Sequence, residues 1–118
     1  MALPEFKKLM EEVKREVREI PSDTLRQMKS SGEDFSLIDV REPNETQQGI
    51  IPGATVIPRG ILEMNVDNVT ADKDRKIVLY CAGGTRSALA AQSLQHLGYR
   101  NVFSLAGGYG AWKQSESR

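Results

Sequence analysis

The hydrophobic positions of this chain change their spacing several times, and each change predicts an element. Residues 5 to 19 are mostly charged, but Phe6, Leu9, Met10, Val13 and Val17 recur three, one, three and four positions apart. That spacing puts them on one stripe of a helix, with Pro4 suited to its first turn and Pro21 just past its far end. Such a stripe faces a membrane, a partner or the domain's own core, and the core is the expectation here. The run Ser22-Asp23-Thr24 then offers an N-cap to a short helix carrying Leu25 and Met28, which ends in Ser30-Ser31-Gly32. Beyond it the pattern shortens. Leu37 to Val40, Ala54 to Ile57, Ile77 to Tyr80 and Val102 to Leu105 are brief apolar, β-branched runs separated by turns. Runs of this kind suit parallel strands covered on both faces. Between the last two, Ala88, Leu89, Ala91, Leu94 and Leu97 form the broad apolar face of a helix over residues 85 to 97, closed by Gly98. Strand, loop, helix and strand make a βαβ unit.

The chain has 118 residues, of which 39% are apolar, with 16 basic and 16 acidic side chains, one Cys and one His. A single domain is expected from that length. Zero net charge gives no electrostatic reason to expect nucleic acid or an anionic membrane as partner. One thiol cannot close an internal disulfide, and one Cys with one His cannot furnish a zinc site, so neither staple nor metal is expected. No cofactor is called for. No stretch approaches the ~18 consecutive apolar residues that span a bilayer, and the first residues meet charge at once, unlike a signal peptide. The expectation is a soluble protein of a reducing compartment, most simply the cytoplasm.

The single thiol is where the pattern becomes chemical. Cys81 follows the clearest strand, and Cys81-Ala82-Gly83-Gly84-Thr85-Arg86 leads directly into the clearest helix. Successive N–H groups in a glycine turn, with the unpaired donors and positive dipole end of a helix N-terminus, form an anion cradle. A thiol held there has a lowered pKa and acts as thiolate. A free Cys is also often merely a small buried hydrophobe. Its position at the carboxyl end of a parallel strand, where open α/β sheets bind ligands, favours the chemical reading. The neighbouring strand ends bring Asp39-Val40-Arg41 and Pro58-Arg59-Gly60 to the same edge. Arg41, Arg59 and Arg86 are therefore expected around a small anion, with Asp39 pairing one of them. His96 lies eleven steps from Thr85, about 16 Å along a helix, and is rejected as a catalytic base.

These segments resemble the single-domain rhodanese family. The resemblance rests on Leu37 to Pro43, Gly49 to Ala54, Cys81-Ala82-Gly83-Gly84-Thr85-Arg86-Ser87, Gly98-Tyr99, Val102, Gly107-Gly108 and Trp112. It implies a three-layer α/β/α fold with a five-stranded parallel sheet in the order 1-5-4-2-3. The first strand, poorly signalled by the residues themselves, would then fall near Arg18-Glu19-Ile20. The implied division is an N-terminal helical extension over residues 1–17, the domain over 18–113 and a frayed tail over 114–118. The resemblance also implies a sulfurtransferase: Cys81 attacks the sulfane sulfur of thiosulfate, releases sulfite, and passes the sulfur from its persulfide to cyanide or a thiol. Loop N–H groups from Ala82 to Ser87 would stabilise the sulfur's charge, with Thr85 and Arg86 holding the sulfonate. The expected partners are thus a small anionic sulfur donor and a thiophilic acceptor, or a protein persulfide at either end.

The chain departs from the family pattern in three places. Gly49 to Pro52 lacks its usual His, Thr46 replaces an aromatic, and Ala82 and Gly83 stand where some thiosulfate enzymes carry basic side chains. Two alternatives stay open. A protein-to-protein persulfide relay would use the same intermediate, with the amphipathic helix free for docking. Rhodanese-fold phosphatases and arsenate reductases have a nucleophile loop one residue longer than the four residues between Cys81 and Arg86.

Overall fold

The computed structural model of the chain describes residues 2–116. Its elements run α1 (Pro4–Glu16), β1 (Arg18–Ile20), α2 (Ser22–Ser30), β2 (Ser36–Asp39), α3 (Pro43–Thr46), β3 (Thr55–Val56), α4 (Leu62–Asn65), β4 (Ile77–Tyr80), α5 (Thr85–His96), β5 (Val102–Leu105) and α6 (Gly108–Glu116). Single 3-10 turns flank α4 at Arg59–Ile61 and Val66–Asn68. The five strands pair in parallel in the order β1-β5-β4-β2-β3, as the resemblance implies.

Alternate residues of the central strands feed two cores, which is why these strands read as continuous apolar runs. Ile38, Ile77, Leu79 and Val102 pack beneath Ala88, Ala91 and Leu94 of α5 and Val13 of α1. Leu37, Val78, Tyr80 and Leu105 pack against Leu25 and Met28 of α2 and Trp112 of α6. The result is a three-layer sandwich.

Several expectations change in detail. Helix α1 stops at Glu16 because Val17 turns extended and Arg18 to Ile20 pair with Phe103 to Leu105. Only the C-terminal part of its stripe covers the core: Val13 and Val17 are buried, whereas Leu3, Phe6 and Leu9 are 67%, 36% and 43% exposed. The helix is tied to α5 by the Gln92 amide, which donates to Glu16 Oε2 at 2.8 Å. Ser22 is the first residue of α2 and caps nothing; Pro21 takes the N-cap position, its carbonyl accepting the Leu25 N–H at 3.2 Å. Strand β3 keeps two exposed residues of the expected four. At the other end, positions 114 to 116 are the described part of the expected tail. They continue α6, where Ser115 Oγ accepts a 2.8 Å bond from Arg26 Nε and the Arg26 guanidinium lies 3.8 Å over the Trp112 ring. Positions 117 and 118 of the expected tail, and Met1, lie outside the described residues.

Candidate active site

Cys81 sits at the carboxyl end of β4, fully enclosed, and the loop Ala82–Gly84 carries the chain into α5. Two sets of hydrogen bonds fix the loop's orientation. On one side, the N-terminus of α6 holds its carbonyls: Tyr109 N–H donates to Cys81 O at 2.7 Å and Gly110 N–H to Ala82 O at 3.1 Å. Gly108, at φ +58°, permits that approach, since a Cβ there would collide with the Cys81 carbonyl oxygen and the Ala82 carbonyl. On the other side, the loop's N–H groups turn toward the sulfur. Gly84, at φ +109°, donates to Sγ at 3.1 Å, and Ser87 N–H donates at 3.4 Å. The Ser87 hydroxyl stands 3.6 Å from Sγ.

Burial pushes the Cys81 thiol up, but the Ser87 hydroxyl and the N–H groups of Ser87, Gly84 and Gly83 outweigh it and hold the thiol below its ordinary value. Arg86 adds positive charge close to the sulfur. The cradle is thus built mainly from backbone donors at a helix N-terminus. Ala82, Gly83 and Thr85 are exposed and form its outer mouth. His96 lies exposed at the far end of α5.

The three arginines do not form the expected cationic rim. Arg41 is buried. It binds Asp39 through Nη2 at 2.8 Å, with Nε at 3.0 and 3.2 Å from the two carboxylate oxygens. Its Nη2 also donates to Gly49 O at 2.8 Å, and its guanidinium lies 4.2 Å over the Tyr109 ring. A guanidinium taken out of water requires such partners, so Arg41 fastens the loop after β2 to the sheet. Arg59 binds Glu63 at 2.9 and 3.0 Å, and Glu63 accepts a bond from Ser93 of α5 at 2.6 Å. It braces α4 against α5. Arg86 remains beside the thiol, but both its Nη atoms reach Glu45, at 2.7 and 2.9 Å. That pairing holds the Glu45 carboxyl at about 2 and raises Arg86 further.

The sequence reading omits Glu45 and Ser104. Glu45 belongs to a reciprocal capping box with Glu42 around the one-turn helix α3, a signal visible in Glu42-Pro43-Asn44-Glu45. Ser104 Oγ, fully buried on β5, lies 2.7 Å from Ser87 Oγ. Its only sequence signal is one polar residue in the apolar run Val102 to Leu105.

The profile of the Rhodanese-like domain family matches residues 21–115. The chain belongs to that family. A sulfurtransferase of Allochromatium vinosum is 40% identical over 96 residues, which cover 81% of this chain and 88% of that protein. A solved structure from Rhodopseudomonas palustris, described as a protein of unknown function and possible tyrosine phosphatase, superposes with a TM-score of 0.85 at 34% identity, covering 93% of this chain and 89% of its own. The human single-domain sulfurtransferase superposes with a TM-score of 0.73 at 28% identity, over 83% of this chain and 96% of its own. Other curated relatives are longer, and the chain spans 59% and 22% of two of them. Its rhodanese-like homologues thus include single-domain sulfurtransferases.

Proposed function

We propose that this rhodanese-like chain is a sulfurtransferase working through a persulfide on Cys81. The observation that carries the reading is the ring of donors closing on Sγ from Gly84 and Ser87 at the N-terminus of α5. In the loading step, the Cys81 thiolate attacks the sulfane sulfur of thiosulfate or a related donor. A new S–S bond forms, the donor's S–S bond breaks, and its electron pair leaves on sulfite, so the negative charge is conserved across the step. In the unloading step, cyanide or an acceptor thiolate attacks the outer sulfur. The enzyme S–S bond breaks and its electron pair returns to Sγ, where the loop N–H groups meet it as an oxyanion hole meets its oxygen. Four residues separate Cys81 from Arg86. That spacing supports a loop closing on one sulfur atom in preference to the tetrahedral oxyanion of a phosphatase or arsenate reductase.

A second reading is favoured by the state of the arginines. Because Arg41, Arg59 and Arg86 each bind a carboxylate, a small dianion meets no unpaired arginine from this set at the mouth. A persulfide presented by another protein does not need one. The small exposed residues Ala82 and Gly83 leave room for it, so the chain also suits a protein-to-protein sulfur relay.

Incubation with thiosulfate is expected to add one sulfur atom to the protein and release sulfite, and Cys81→Ser to abolish both, as read by intact mass and sulfite assay. A protein that takes no sulfur from thiosulfate but loads promptly from a protein persulfide is a relay. Failure to load from either donor would overturn the persulfide mechanism.

A further inference from the structure

Ser87 Oγ carries one proton and has three polar atoms in reach: Gly84 O at 3.3 Å, to which it donates, Ser104 Oγ at 2.7 Å, and Cys81 Sγ at 3.6 Å, which donates to it as a thiol and accepts from it as a thiolate. The shortest of these contacts does not involve the sulfur. Ser104 stands beside Leu79 in the β4–β5 ladder, two residues before Cys81 on the neighbouring strand, with its flanking residues Phe103 and Leu105 in the opposite core. Its side chain therefore points to the α5 side, where Ser87 lies. Both hydroxyls are inaccessible to water. Among the described residues, Ser87 Oγ is the one hydrogen-bond partner of Ser104 Oγ.

Counting protons then decides the direction of the bond. Were Ser87 to donate to Ser104, the Ser104 proton would be left without an acceptor in a dry site, and the sulfur would lose a donor. Were Ser104 to donate to Ser87, both protons would be used and the Ser87 hydroxyl would be free to turn to Sγ or Gly84 O. We propose that Ser104 is a positioning residue for the Cys81 site: by donating to Ser87 Oγ it holds that hydroxyl behind the sulfur and polarises its proton, strengthening the bond Ser87 gives to the thiolate. The role rests on Cys81 being the working nucleophile, and it acts twice in a sulfur-transfer cycle. The same proton meets the charge on Sγ before loading, and again when an acceptor thiolate removes the outer sulfur of a protonated persulfide. In that second step the S–S bond breaks, the proton leaves with the outer sulfur, and the electron pair returns to Sγ.

The other charged groups around the loop are Arg86 on α5 with Glu45 from α3, the Asp39–Arg41 pair at the end of β2, and the Arg59–Glu63 pair beside α4. Tyr109 is the nearby titratable group on α6, and β5 itself carries none. None of these needs to change in the variants that test the role.

The test is the pH dependence of Cys81 alkylation by iodoacetamide, which needs no sulfur donor and so stands apart from the sulfurtransferase assay. Ser104→Ala is expected to raise the apparent thiol pKa by about one unit and slow alkylation at neutral pH several-fold. Ser87→Ala should raise it at least as much. The Ser87→Ala/Ser104→Ala double variant should match Ser87→Ala alone, because Ser104 acts only through Ser87. It leaves no unpaired hydroxyl, so it also serves if Ser104→Ala folds poorly. Ser104→Thr, which keeps the hydroxyl, should restore the parent profile. An unshifted profile in Ser104→Ala, or additive shifts in the double variant, would overturn the role while leaving the persulfide mechanism untouched.

Discussion

The Cys81 thiol is held below its ordinary value by hydrogen-bond donors rather than by a base. An enclosed thiol resists ionisation, and here the opposing contributions come from the Ser87 hydroxyl and three backbone N–H groups. Arg86, which brings positive charge close to this sulfur, is shared with Glu45. The ion pair makes two opposite predictions for a sulfonate-bearing donor. Arg86→Ala should raise the KM for thiosulfate with little effect on folding, because the side chain is partly exposed. Glu45→Gln should lower that KM several-fold by releasing the guanidinium toward the mouth. Steady-state kinetics with thiosulfate and cyanide checks both, and an unchanged KM in each variant would remove the pair from donor recognition. Ser104 shows how little of this was visible in the residues alone. A serine within Val102 to Leu105 reads as a tolerated polar position, and nothing in the order of residues says that it meets Ser87.

Among the elements, α6 does most to shape the site, yet its own sequence announces it poorly. Gly107, Gly108 and Gly110 crowd its start, and glycine is a weak helix former that reads as a turn. The glycines are there for approach: Gly108 lets the first N–H groups of α6 grip the Cys81 and Ala82 carbonyls. Gly108→Ala should therefore cost about 1–3 kcal/mol, since the obstruction is backbone and cannot rotate away. It should also raise the Cys81 pKa, which thermal unfolding and thiol alkylation would measure together. The short elements α3 and α4 escaped the pattern for a different reason, being one turn each and too brief to show a period. Helix α1 was legible in outline but not in extent. Val13→Ala should cost about 2 kcal/mol by removing two buried carbon atoms' worth of packing, whereas Phe6→Ala should stay within about 0.5 kcal/mol. Urea unfolding of the two variants separates the docked end of α1 from its exposed end.

At the scale of the whole molecule, the pairing of charges links stability to pH. The Glu45 carboxyl moves from 4.5 to about 2 on folding, chiefly through its hydrogen bonds with Arg86. A carboxylate depressed in this way adds stability above its unfolded value, and the contribution disappears as pH falls from about 4.5 toward about 2. The pair is partly exposed, so the effect is modest. Denaturation of the parent and Glu45→Gln should differ at neutral pH and converge as the pH drops through that window; a difference independent of pH would show that the ion pair contributes nothing.

The sequence by itself determined the parallel α/β class, the strands at Ile77 to Tyr80 and Val102 to Leu105, the helix between them, and the place of Cys81 at the end of the first of them. Periodicity and turn chemistry are local properties, and these elements are long or distinctive enough to express them. The motif series added the strand order and a first strand three residues long. Only the tertiary structure decided that Arg86 meets Glu45, that α6 holds the loop's carbonyls, and that a serine on β5 reaches the serine behind the thiol. Those contacts join residues far apart in the chain, where distance and orientation follow from packing and leave no period in the sequence to read.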